Sequence, residues 1–313
     1  MDEHISIDLL TRIAWIYYYE DLSHQEIGEQ LGLPRIKVTR LLKVIRERRL
    51  VEVRLKESCW SVYEVERKFK EKTGLSKALV VPTGKDPIVN VAHAAALQLQ
   101  DLCLRHERIG IGAGRALERA VEYFEQVPDK KVKEIVSLLG NTMPNLALNP
   151  YAIGLVLSNK LKVDFFNIWA PAVATSVDTA RILKKDYVIS KVLEMANSVE
   201  IGILGIGDIK SSVMMTRGFI SSEEAEDIAD RGAVGEILGR FFDVEGRRVP
   251  TILEDRVIAV EMPMKCPMMA VAYGKEKILS IVGAIRGGFI QGLVTDERTA
   301  LAVLRFLSSK GGQ

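Results

Sequence analysis

Apolar residues recur three or four positions apart through the N-terminal part of the chain, which is the spacing of an α-helix with one apolar face. The first such run lies between Leu9 and Tyr17 and predicts a first helix. A second, shorter helix is predicted after Ser23, because Ser23 and Glu26 can form a capping box, in which each side chain accepts a main-chain N–H group at the helix start. Three aromatic residues beside the first run are interpreted as packing groups: Trp15, Tyr18 and Tyr19.

A tight turn and a third helix follow. Gly32 supplies the flexible turn residue, and Pro34 suits a first helical turn, where the N–H group that proline lacks has no partner in any case. The apolar face of the third helix consists of Val38, Leu41, Leu42 and Ile45. Two short helices joined in this way predict a helix-turn-helix.

The opposite face of the third helix is basic and polar. Its residues are Arg35, Lys37, Thr39, Arg40, Lys43 and Arg46. A helix of this kind fits the major groove of DNA, where positive charge and hydrogen-bond donors meet phosphates and base edges. We expect the first four residues of this set to reach base edges or nearby phosphates, and the last two to contact mainly the phosphate backbone.

The distribution of charge favours DNA binding over the simpler interpretation, which is a helical hairpin with a solvated basic face. Between Arg35 and Arg49 there are seven basic residues and one acidic residue, whereas the whole chain of 313 residues has a formal net charge of only +2. Positive charge concentrated on one element of a nearly neutral protein is the expected electrostatic footprint of nucleic-acid binding. Double-stranded DNA is therefore the predicted macromolecular partner.

Two domains are predicted. Residues 51–56 alternate between apolar and charged side chains, which is the period of a half-buried strand, and we interpret them as a short wing or as the strand that closes a small domain. The helix-turn-helix domain is assigned to residues 1–57, and the larger domain to residues 58–313. A charged helix over residues 61–72 is predicted to follow the boundary.

From Lys77 onward, apolar strand-like runs alternate with helical runs. The strand-like runs are KALVVP, RIGIGAG, EIVSLLG, VDFFNIW, EIGILGIG, KCPMMAVAYG and FIQGLVTD. This alternation predicts βα units, and hence an α/β fold with a mainly parallel sheet that is covered on both faces. Beyond Asp208 the alternation is less regular.

Composition argues against several classes of protein. The hydrophobic content of 48% and the charged content of 27% are typical of a soluble globular protein. No signal sequence opens the chain, and no apolar run reaches the roughly 20 residues that span a bilayer, so the cytoplasm is the expected compartment. The three cysteines lie far apart and only four histidines are present, so neither a disulfide framework nor a metal site is predicted, and no cofactor is expected.

Candidate ligand contacts lie in the loops after the strands, because open α/β sheets bind ligands at the carboxyl ends of their strands. Four such loops carry glycine: Gly110 to Gly114, Gly140 to Thr142, Gly205 to Gly207, and Gly274 to Lys277. The first has a G-x-G-x-G spacing, which is a weak dinucleotide signal, and close packing explains its glycines at least as well. Gly140, Asn141 and Thr142 form a polar loop suited to a phosphate or a sugar hydroxyl. Lys277 lies near a predicted helix start, where both its ammonium and the helix dipole favour an anion.

Asp243, in the segment FFDVEG, is a candidate acceptor for sugar hydroxyl groups, although aspartate is also an ordinary turn residue. The chain contains no nucleophile elbow, HExxH pair, Walker loop or Ser-His-Asp arrangement that indicates a hydrolase. We therefore assign no catalytic residue and expect a protein that is not an enzyme.

Four segments resemble the SorC family of bacterial sugar-responsive transcription regulators. RIAWIYYYEDLSHQEIGEQLGLPRIKVTRLLK resembles the helix-turn-helix of that family. GAVGEILGRFFDVEG, VAYGKEK and GAIRGGFIQGLVTDERTA resemble its effector domain. The resemblance covers essentially the whole chain, and the segments occur in the order that the family shows.

The resemblance implies that residues 58–313 have a fold similar to sugar-phosphate isomerases and deaminases, without their activity. It implies a phosphorylated sugar or polyol as effector, a tetramer built from two dimers, and effector-controlled affinity for operator DNA. By motif, Asp243 and Lys277 match effector-contacting positions, and Gly140 to Thr142 match the loop that helps to hold the phosphate. Asn141 and Tyr273 depart from the family, which usually has glycine at both positions, so the identity of the sugar stays open.

Two other functions stay open at this point. A sugar-phosphate isomerase or deaminase with an accessory helical domain would turn over a sugar phosphate, although no side chain stands out as its base. A nicotinamide-sensing repressor would need the loop from Gly110 to Gly114 to bind a dinucleotide. The sequence does not distinguish repression from activation.

Overall fold

A computed structural model describes residues 6–48, 50–51, 57–142, 149–209 and 219–309; for residues 57–61 it describes the main chain only. The chain divides into two compact units, Met1–Glu57 and Ser58–Gln313. Each unit has a hydrophobic core of its own.

The described residues of the first unit form the helices α1 (Ile7–Tyr18), α2 (His24–Leu31) and α3 (Arg35–Glu47). Their apolar faces meet in one core, to which α3 contributes the four residues that its spacing predicts: Val38, Leu41, Leu42 and Ile45. The capping box at the start of α2 forms as predicted, because the Ser23 hydroxyl accepts the N–H of Glu26 and the Glu26 carboxylate accepts the N–H of Ser23.

The turn between α2 and α3 depends on two glycines. Gly32 ends α2 in the left-handed conformation, with φ of 65°, which glycine adopts without strain. A Cβ atom at Gly28 would lie 2.5 Å from the carbonyl oxygen of Leu33, so only glycine allows the turn to fold back this closely. Pro34 is the N-cap residue of α3, one position before the first helical residue.

The interpretation of three N-terminal aromatic residues as packing groups is wrong. Trp15 is 55% exposed, Tyr18 is 40% exposed and Tyr19 is 74% exposed. Trp15 and Tyr18 lie away from the core because α1 turns Ile13 and Ile16 inward, and residues two positions further along a helix point elsewhere; Tyr19 lies after the last residue of α1. The predicted strand over residues 51–56 falls outside the described residues, apart from Val51.

The second unit is an α/β domain. Its helices are α4 (Glu57–Thr73), α5 (Pro87–Arg105), α6 (Arg115–Tyr123), α7 (Pro150–Leu161), α8 (Val177–Lys185), α9 (Tyr187–Asn197), α10 (Ser222–Asp230), α11 (Ile278–Arg286) and α12 (Glu297–Ser309). Its strands are β1 (Lys77–Val81), β2 (Arg108–Ile111), β3 (Glu134–Ser137), β4 (Asp164–Phe166), β5 (Ile201–Gly205), β6 (Gly207–Asp208), β7 (Ala233–Ile237), β8 (Arg240–Asp243), β9 (Met268–Val271) and β10 (Gly292–Asp296).

The main sheet has seven strands in the order β1-β10-β9-β5-β2-β3-β4, and all its pairs are parallel. Apolar clusters cover both of its faces, one formed largely by α5, α6 and α7, and the other by α4, α9, α11 and α12. The predicted α/β fold with a mainly parallel sheet is therefore confirmed.

A second, antiparallel sheet of three strands, β6-β7-β8, is absent from the prediction. A two-residue turn joins β7 to β8, and both of its residues have positive φ, 50° at Leu238 and 78° at Gly239. Such a turn matches the twist of a hairpin, but leucine in its first position hides the usual turn signal. This sheet occupies the region beyond Asp208 where the alternation of the sequence becomes irregular.

The order of the main sheet creates a crevice at one edge. From β2 the chain proceeds to β3 and β4 on one side, whereas from β5 it proceeds to β9 and β10 on the other. Since β2 and β5 are neighbours, the loops that follow them diverge, and such a switch point is where open α/β sheets bind ligands.

Candidate functional site

The outer face of α3 presents all six residues that the sequence predicts for DNA contact. Arg35, Lys37, Thr39, Arg40, Lys43 and Arg46 are all exposed. No side chain caps the first turn of α3, so its N-terminus keeps the main-chain donors and the dipole that attract a phosphate. The surface therefore combines a basic face with a helix N-terminus.

At least three of the six residues are engaged within the unit, among them Lys43, whose ammonium lies 3.8 Å from the Glu47 carboxylate. The Thr39 hydroxyl donates to the carbonyl oxygen of Arg35 at 3.1 Å and lies 3.0 Å from the Nδ1 atom of His24 on α2. The Arg46 guanidinium donates to the hydroxyl of Tyr18 on α1 at 3.2 Å, and this bond raises the pKa of Arg46. Thr39 thus links α3 to α2, and Arg46 links α3 to α1.

Ile36 also belongs to this surface, although the pattern of charged residues does not identify it. It lies between Arg35 and Lys37 near the start of α3, and its side chain is 83% exposed. An apolar side chain at such a position can contact the C5 methyl group of thymine in the major groove. The sequence signal was available, because Ile36 falls outside the apolar face formed by Val38, Leu41 and their neighbours.

A cavity of about 120 Å³ lies at the carboxyl edge of the main sheet, where β2, β5 and β9 end. It is lined by Gly114, Arg115, Ala116, Gly205, Ile206, Val271, Ala272, Tyr273, Glu276 and Lys277. Helix α6 begins at Arg115, after a glycine that offers no side-chain cap. The cavity thus receives a helix N-terminus, which favours an anion.

Lys277, which the sequence analysis gives as an effector contact, lines this cavity. Its ammonium is 2.7 Å from a carboxylate oxygen of Asp208, and the two side chains are only 12% and 7% exposed. Gly274 precedes the short 3-10 turn Lys275–Lys277 with φ of 104°, so the loop needs glycine at that position. Asp208 belongs to β6 and is a site residue that the sequence did not indicate.

Tyr273 also lines the cavity. Burial raises the pKa of its hydroxyl group, and a neutral tyrosine hydroxyl can both donate and accept a hydrogen bond. Gly274 is fixed beside it, because its N–H donates to the Thr299 hydroxyl at 2.8 Å. The side chain at position 273 therefore limits the space that a ligand can occupy.

Close packing accounts for the glycines after β2 and β5. A Cβ atom at Gly112 would lie 2.7 Å from the Cβ of Leu204, and one at Gly114 would lie 2.9 Å from the Cα of Gly205. The N–H of Gly112 donates to the carbonyl oxygen of Ile203 at 2.9 Å, so it is not offered to a pyrophosphate. These contacts favour packing over a dinucleotide fingerprint.

The loop Gly140 to Thr142 follows β3 at the same edge of the sheet. Two of its main-chain donors are used internally: the N–H of Gly140 donates to the carbonyl oxygen of Ile258 at 2.9 Å, and that of Asn141 to the carbonyl oxygen of Ala170 at 2.8 Å. A Cβ atom at Gly140 would lie 2.6 Å from the carbonyl oxygen of Pro171. None of the three residues lines the cavity beside Lys277. Because β2 lies between β5 and β3, the loop after β3 lies about 10 Å along the sheet edge from the end of β5.

Asp243 lies at the end of β8 and is not part of the cavity lining. Its carboxylate accepts two hydrogen bonds from Arg247, one from the main-chain N–H and one from the guanidinium, each at 2.9 Å. Partial burial alone would raise the pKa of Asp243, but these bonds outweigh burial and hold the pKa below its ordinary value. The structure therefore places Asp243 in a turn and does not bring it to Lys277.

Neither a grouped set of metal-binding side chains nor a membrane-spanning helix is found in the described ranges. Across these ranges, no three His, Cys, Asp or Glu side chains are grouped so that they could hold a metal. In the same part of the chain, no helix is both long and apolar enough to cross a bilayer.

Comparison with known proteins gives consistent results along the chain. The family model Sugar-bind, described as a "Putative sugar-binding domain", matches residues 59–305. The erythritol catabolism regulatory protein EryD of Brucella abortus (strain 2308) is 31% identical over 304 residues, which are 95% of this chain and 96% of that protein. The transcriptional regulator LsrR of Enterobacter sp. (strain 638) is 30% identical over 307 residues, which are 95% of this chain and 93% of that protein.

Solved structures show the same relationship. The full-length sorbitol operon regulator SorC of Klebsiella pneumoniae has a TM-score of 0.75 and 25% sequence identity, and the match covers 96% of this chain and 100% of that chain. A DeoR family transcriptional regulator from Listeria monocytogenes has a TM-score of 0.71 and 27% identity, over 78% of this chain and 99% of that chain. All four of these proteins are named as regulators, two of them as transcriptional regulators, and none is named as an enzyme.

Proposed function

Because the chain belongs to the SorC family of sugar-binding transcriptional regulators, we propose that a small phosphorylated sugar or polyol bound in the second unit controls the affinity of the first unit for operator DNA. The observation that carries the effector part is the cavity at the switch point of the main sheet, where Lys277 and the N-terminus of α6 converge. The DNA part rests on the exposed basic face of α3.

A phosphate group suits this cavity on electrostatic grounds. Two cationic side chains, Arg115 and Lys277, line it together with the uncapped start of α6. A phosphate can replace the Asp208 carboxylate as the partner of Lys277, or it can share the ammonium, which has three donors. Glu276, which also lines the cavity, opposes an anion but can accept sugar hydroxyl groups.

The names of two relatives indicate polyols as the organic part of the effector. One is named for erythritol catabolism and the other for the sorbitol operon. Both compounds are chains of carbon atoms that carry hydroxyl groups, so a polyol or its phosphate is the first class to test. Gly140, Asn141, Thr142 and Asp243 remain predictions for contact with the effector.

On the DNA side, we infer that Arg35, Lys37 and Arg40 approach base edges and phosphates. Lys43 and Arg46 contact mainly phosphates, and Thr39 acts chiefly by positioning α3 against α2.

A dimer would place two such helices about 34 Å apart, which is one turn of DNA, so we expect a palindromic operator. We propose a tetramer, which sedimentation should show as four times the chain mass of 34.8 kDa. Binding of chromosomal DNA places the proposed activity in the cytoplasm.

The test uses the full chain and a panel of compounds. Erythritol, sorbitol, their phosphate monoesters and NADH are added in a thermal-shift assay, and compounds that stabilise the protein are then added to a gel shift with operator DNA. We expect a polyol phosphate to raise the melting temperature and to change operator affinity. Stabilisation by NADH alone would favour a nicotinamide sensor, and turnover of a sugar phosphate would favour an enzyme.

A further inference from the structure

A second cavity, of about 170 Å³, lies at the amino edge of the main sheet, where β1, β5, β9 and β10 begin. Ile201, the first residue of β5, lines this amino-edge cavity, whereas Gly205, the last residue of β5, lines the cavity beside Lys277. About 13 Å of strand therefore separates the two cavities. A single water molecule needs about 10–15 Å³, so the amino-edge cavity has room for a small organic molecule.

The lining of the amino-edge cavity includes a carboxylate that two cations share. Asp101 of α5 accepts a hydrogen bond from the Lys77 ammonium at 2.9 Å and another from the Arg105 guanidinium at 2.8 Å. Burial alone would raise the pKa of Asp101, but these two bonds outweigh burial and lower the pKa, so the carboxylate is ionised. All three side chains line the cavity. Two positive charges and one negative charge leave an excess of one positive charge there.

Both cations keep hydrogen-bond donors that an anion can use. An ammonium has three N–H donors and a guanidinium has five, and in the described part of the chain each of these side chains donates one bond, to Asp101. The nearby Glu200 is engaged elsewhere: its carboxylate accepts the main-chain N–H of Glu107 at 3.1 Å and lies 3.3 Å from the Nδ1 atom of His106. Asp101 thus carries the single carboxylate of the described lining, and the unused donors face an anion without a second competitor.

The rest of the lining combines apolar side chains with an amide that is already satisfied. Four of its side chains are apolar and buried: Leu102, Ile201, Met268 and Met269. The Gln291 side chain accepts the main-chain N–H of Met268 at 2.8 Å and donates to the carbonyl oxygen of Gly288 at 2.9 Å. A ligand in this cavity therefore meets positive charge and hydrocarbon, whereas a sugar would find few partners for its hydroxyl groups.

We propose that the amino-edge cavity is a second ligand site, which binds a small aliphatic carboxylate. Lys77 and Arg105 hold its carboxylate group, and the buried apolar side chains pack against its hydrocarbon chain. One negative charge matches the excess of one positive charge, and a guanidinium matches a carboxylate through parallel hydrogen bonds. A phosphate monoester fits less well, because its second negative charge would lie near Asp101. The inference does not depend on the proposed function, because it assumes neither a polyol effector nor a ligand beside Lys277.

The test uses the full chain with isotope-labelled methionine methyl groups, whose NMR signals are followed during titration at neutral pH and constant ionic strength. Met268 and Met269 report on the amino-edge cavity, whereas Met195 of α9 does not line it and serves as the reference. The probes are acetate, butyrate, butyramide and inorganic phosphate. Acetate shortens the hydrocarbon chain of butyrate, and butyramide replaces its charged carboxylate by a neutral amide.

We expect butyrate to shift the Met268 and Met269 signals until they saturate, and to leave the Met195 signal unchanged. The dissociation constant of butyrate should be about tenfold lower than that of acetate, because the longer chain removes two more methylene groups from water. Butyramide should bind about tenfold more weakly than butyrate, because it lacks the charge-assisted hydrogen bonds. Inorganic phosphate should also bind more weakly, since it has no hydrocarbon and lies near Asp101.

Arg105→Gln should weaken butyrate binding about tenfold, because it removes one of the two cations. The Arg105 side chain is 67% exposed, so the variant should fold as wild type does, which its melting temperature checks. Arg67→Gln is the matched control. Arg67 is an exposed arginine of α4 that pairs with Glu71 four residues away, as Arg105 pairs with Asp101, but it does not line the cavity.

Three results would overturn the inference. Butyrate affinity that is the same in Arg105→Gln as in Arg67→Gln would show that the cations do not hold the carboxylate. Equal affinities for butyrate and butyramide, or for butyrate and inorganic phosphate, would show a site that is merely apolar or merely ionic. Met268 and Met269 signals that do not saturate with butyrate would show that no site exists. None of these results bears on the effector, which the polyol phosphates test at the other cavity.

Discussion

Ile36 is 83% exposed, so its side chain does not contribute to the core of the first unit. It is therefore available for an apolar contact with DNA. A thymine methyl group is the apolar feature of the major groove, and burying one methylene-sized group is worth about 0.8 kcal/mol. We predict that replacing thymine by deoxyuridine at one operator position weakens wild-type binding about fourfold, as measured by fluorescence anisotropy.

The Ile36→Ala variant should bind the two operators equally, because it lacks the side chain that touches the methyl group. Ile7→Ala is the control, since Ile7 is also exposed, at 65%, but lies on α1. Wild-type affinity that is unchanged at every substituted thymine would contradict a methyl contact.

Arg40 is the second residue-scale test of the DNA surface. It is exposed in the first half of α3, so its guanidinium can reach a base edge. Replacing it by alanine should cost about 1–3 kcal/mol of operator affinity if it reads a base, with less discrimination at that position. Arg181→Ala provides the control, because Arg181 is an exposed arginine of α8 whose partner is Asp178. Unchanged operator affinity in Arg40→Ala would remove Arg40 from the set.

Lys277 requires two variants, because its ion pair with Asp208 is almost buried. Removing one partner of a buried pair typically costs about 3–5 kcal/mol, so Lys277→Met alone should unfold at lower temperature. Adding Asp208→Asn should restore most of that stability. The double variant should still bind phosphate monoesters at least tenfold more weakly than wild type in calorimetric titration, and wild-type affinity in the double variant would show that Lys277 does not hold the phosphate.

Residue exposure on α3 could be predicted from the sequence, because helical spacing decides which side chains face the core. The partners of Thr39 and Arg46 could not be predicted, since they lie on α2 and α1 and depend on how the helices pack. Asp208 was missed for a similar reason: nothing near it in the sequence indicates that Lys277 will lie beside it.

At the scale of elements, the turn after β8 gives a test that depends on pH. Arg247 holds the pKa of Asp243 below its ordinary value, so Asp243 contributes stability above its unfolded-state pKa of about 3.9 and loses that contribution as the pH falls through the folded-state value. Asp243→Asn should lower the free energy of unfolding by on the order of 1 kcal/mol at pH 7.

The difference between wild type and Asp243→Asn should be constant from neutral pH to about pH 5 and should disappear in more acidic solution. Denaturant unfolding at a series of pH values measures it. A difference that grows on acidification would contradict the sign of the pKa shift. Effector affinity measured in parallel shows whether Asp243 also contacts the ligand.

The parallel strands could be predicted because most are short apolar runs followed by a helix, as in β1, β2 and β10. The antiparallel sheet could not, because β6 has only two residues and the β7–β8 turn begins with leucine. The position of the crevice needs the strand order as well, and a strand pattern alone does not show that β5 lies between β9 and β2.

At the scale of the whole molecule, the protein consists of two units with different chemistry. The first unit presents positive charge on one helix, and the second has a cavity at the switch point of a parallel sheet. Regulation requires that effector binding and DNA binding change each other's affinity, and such coupling is reciprocal, so operator DNA must change effector affinity by the same factor.

The most direct test measures this coupling. Operator sequences are first selected from random duplex DNA with the full chain, and the dissociation constant for the selected operator is then measured by fluorescence anisotropy with and without each polyol phosphate that stabilises the protein. The account predicts that at least one such compound changes the dissociation constant about 5–150-fold. An operator dissociation constant that stays the same at saturating concentrations of every bound compound would contradict it.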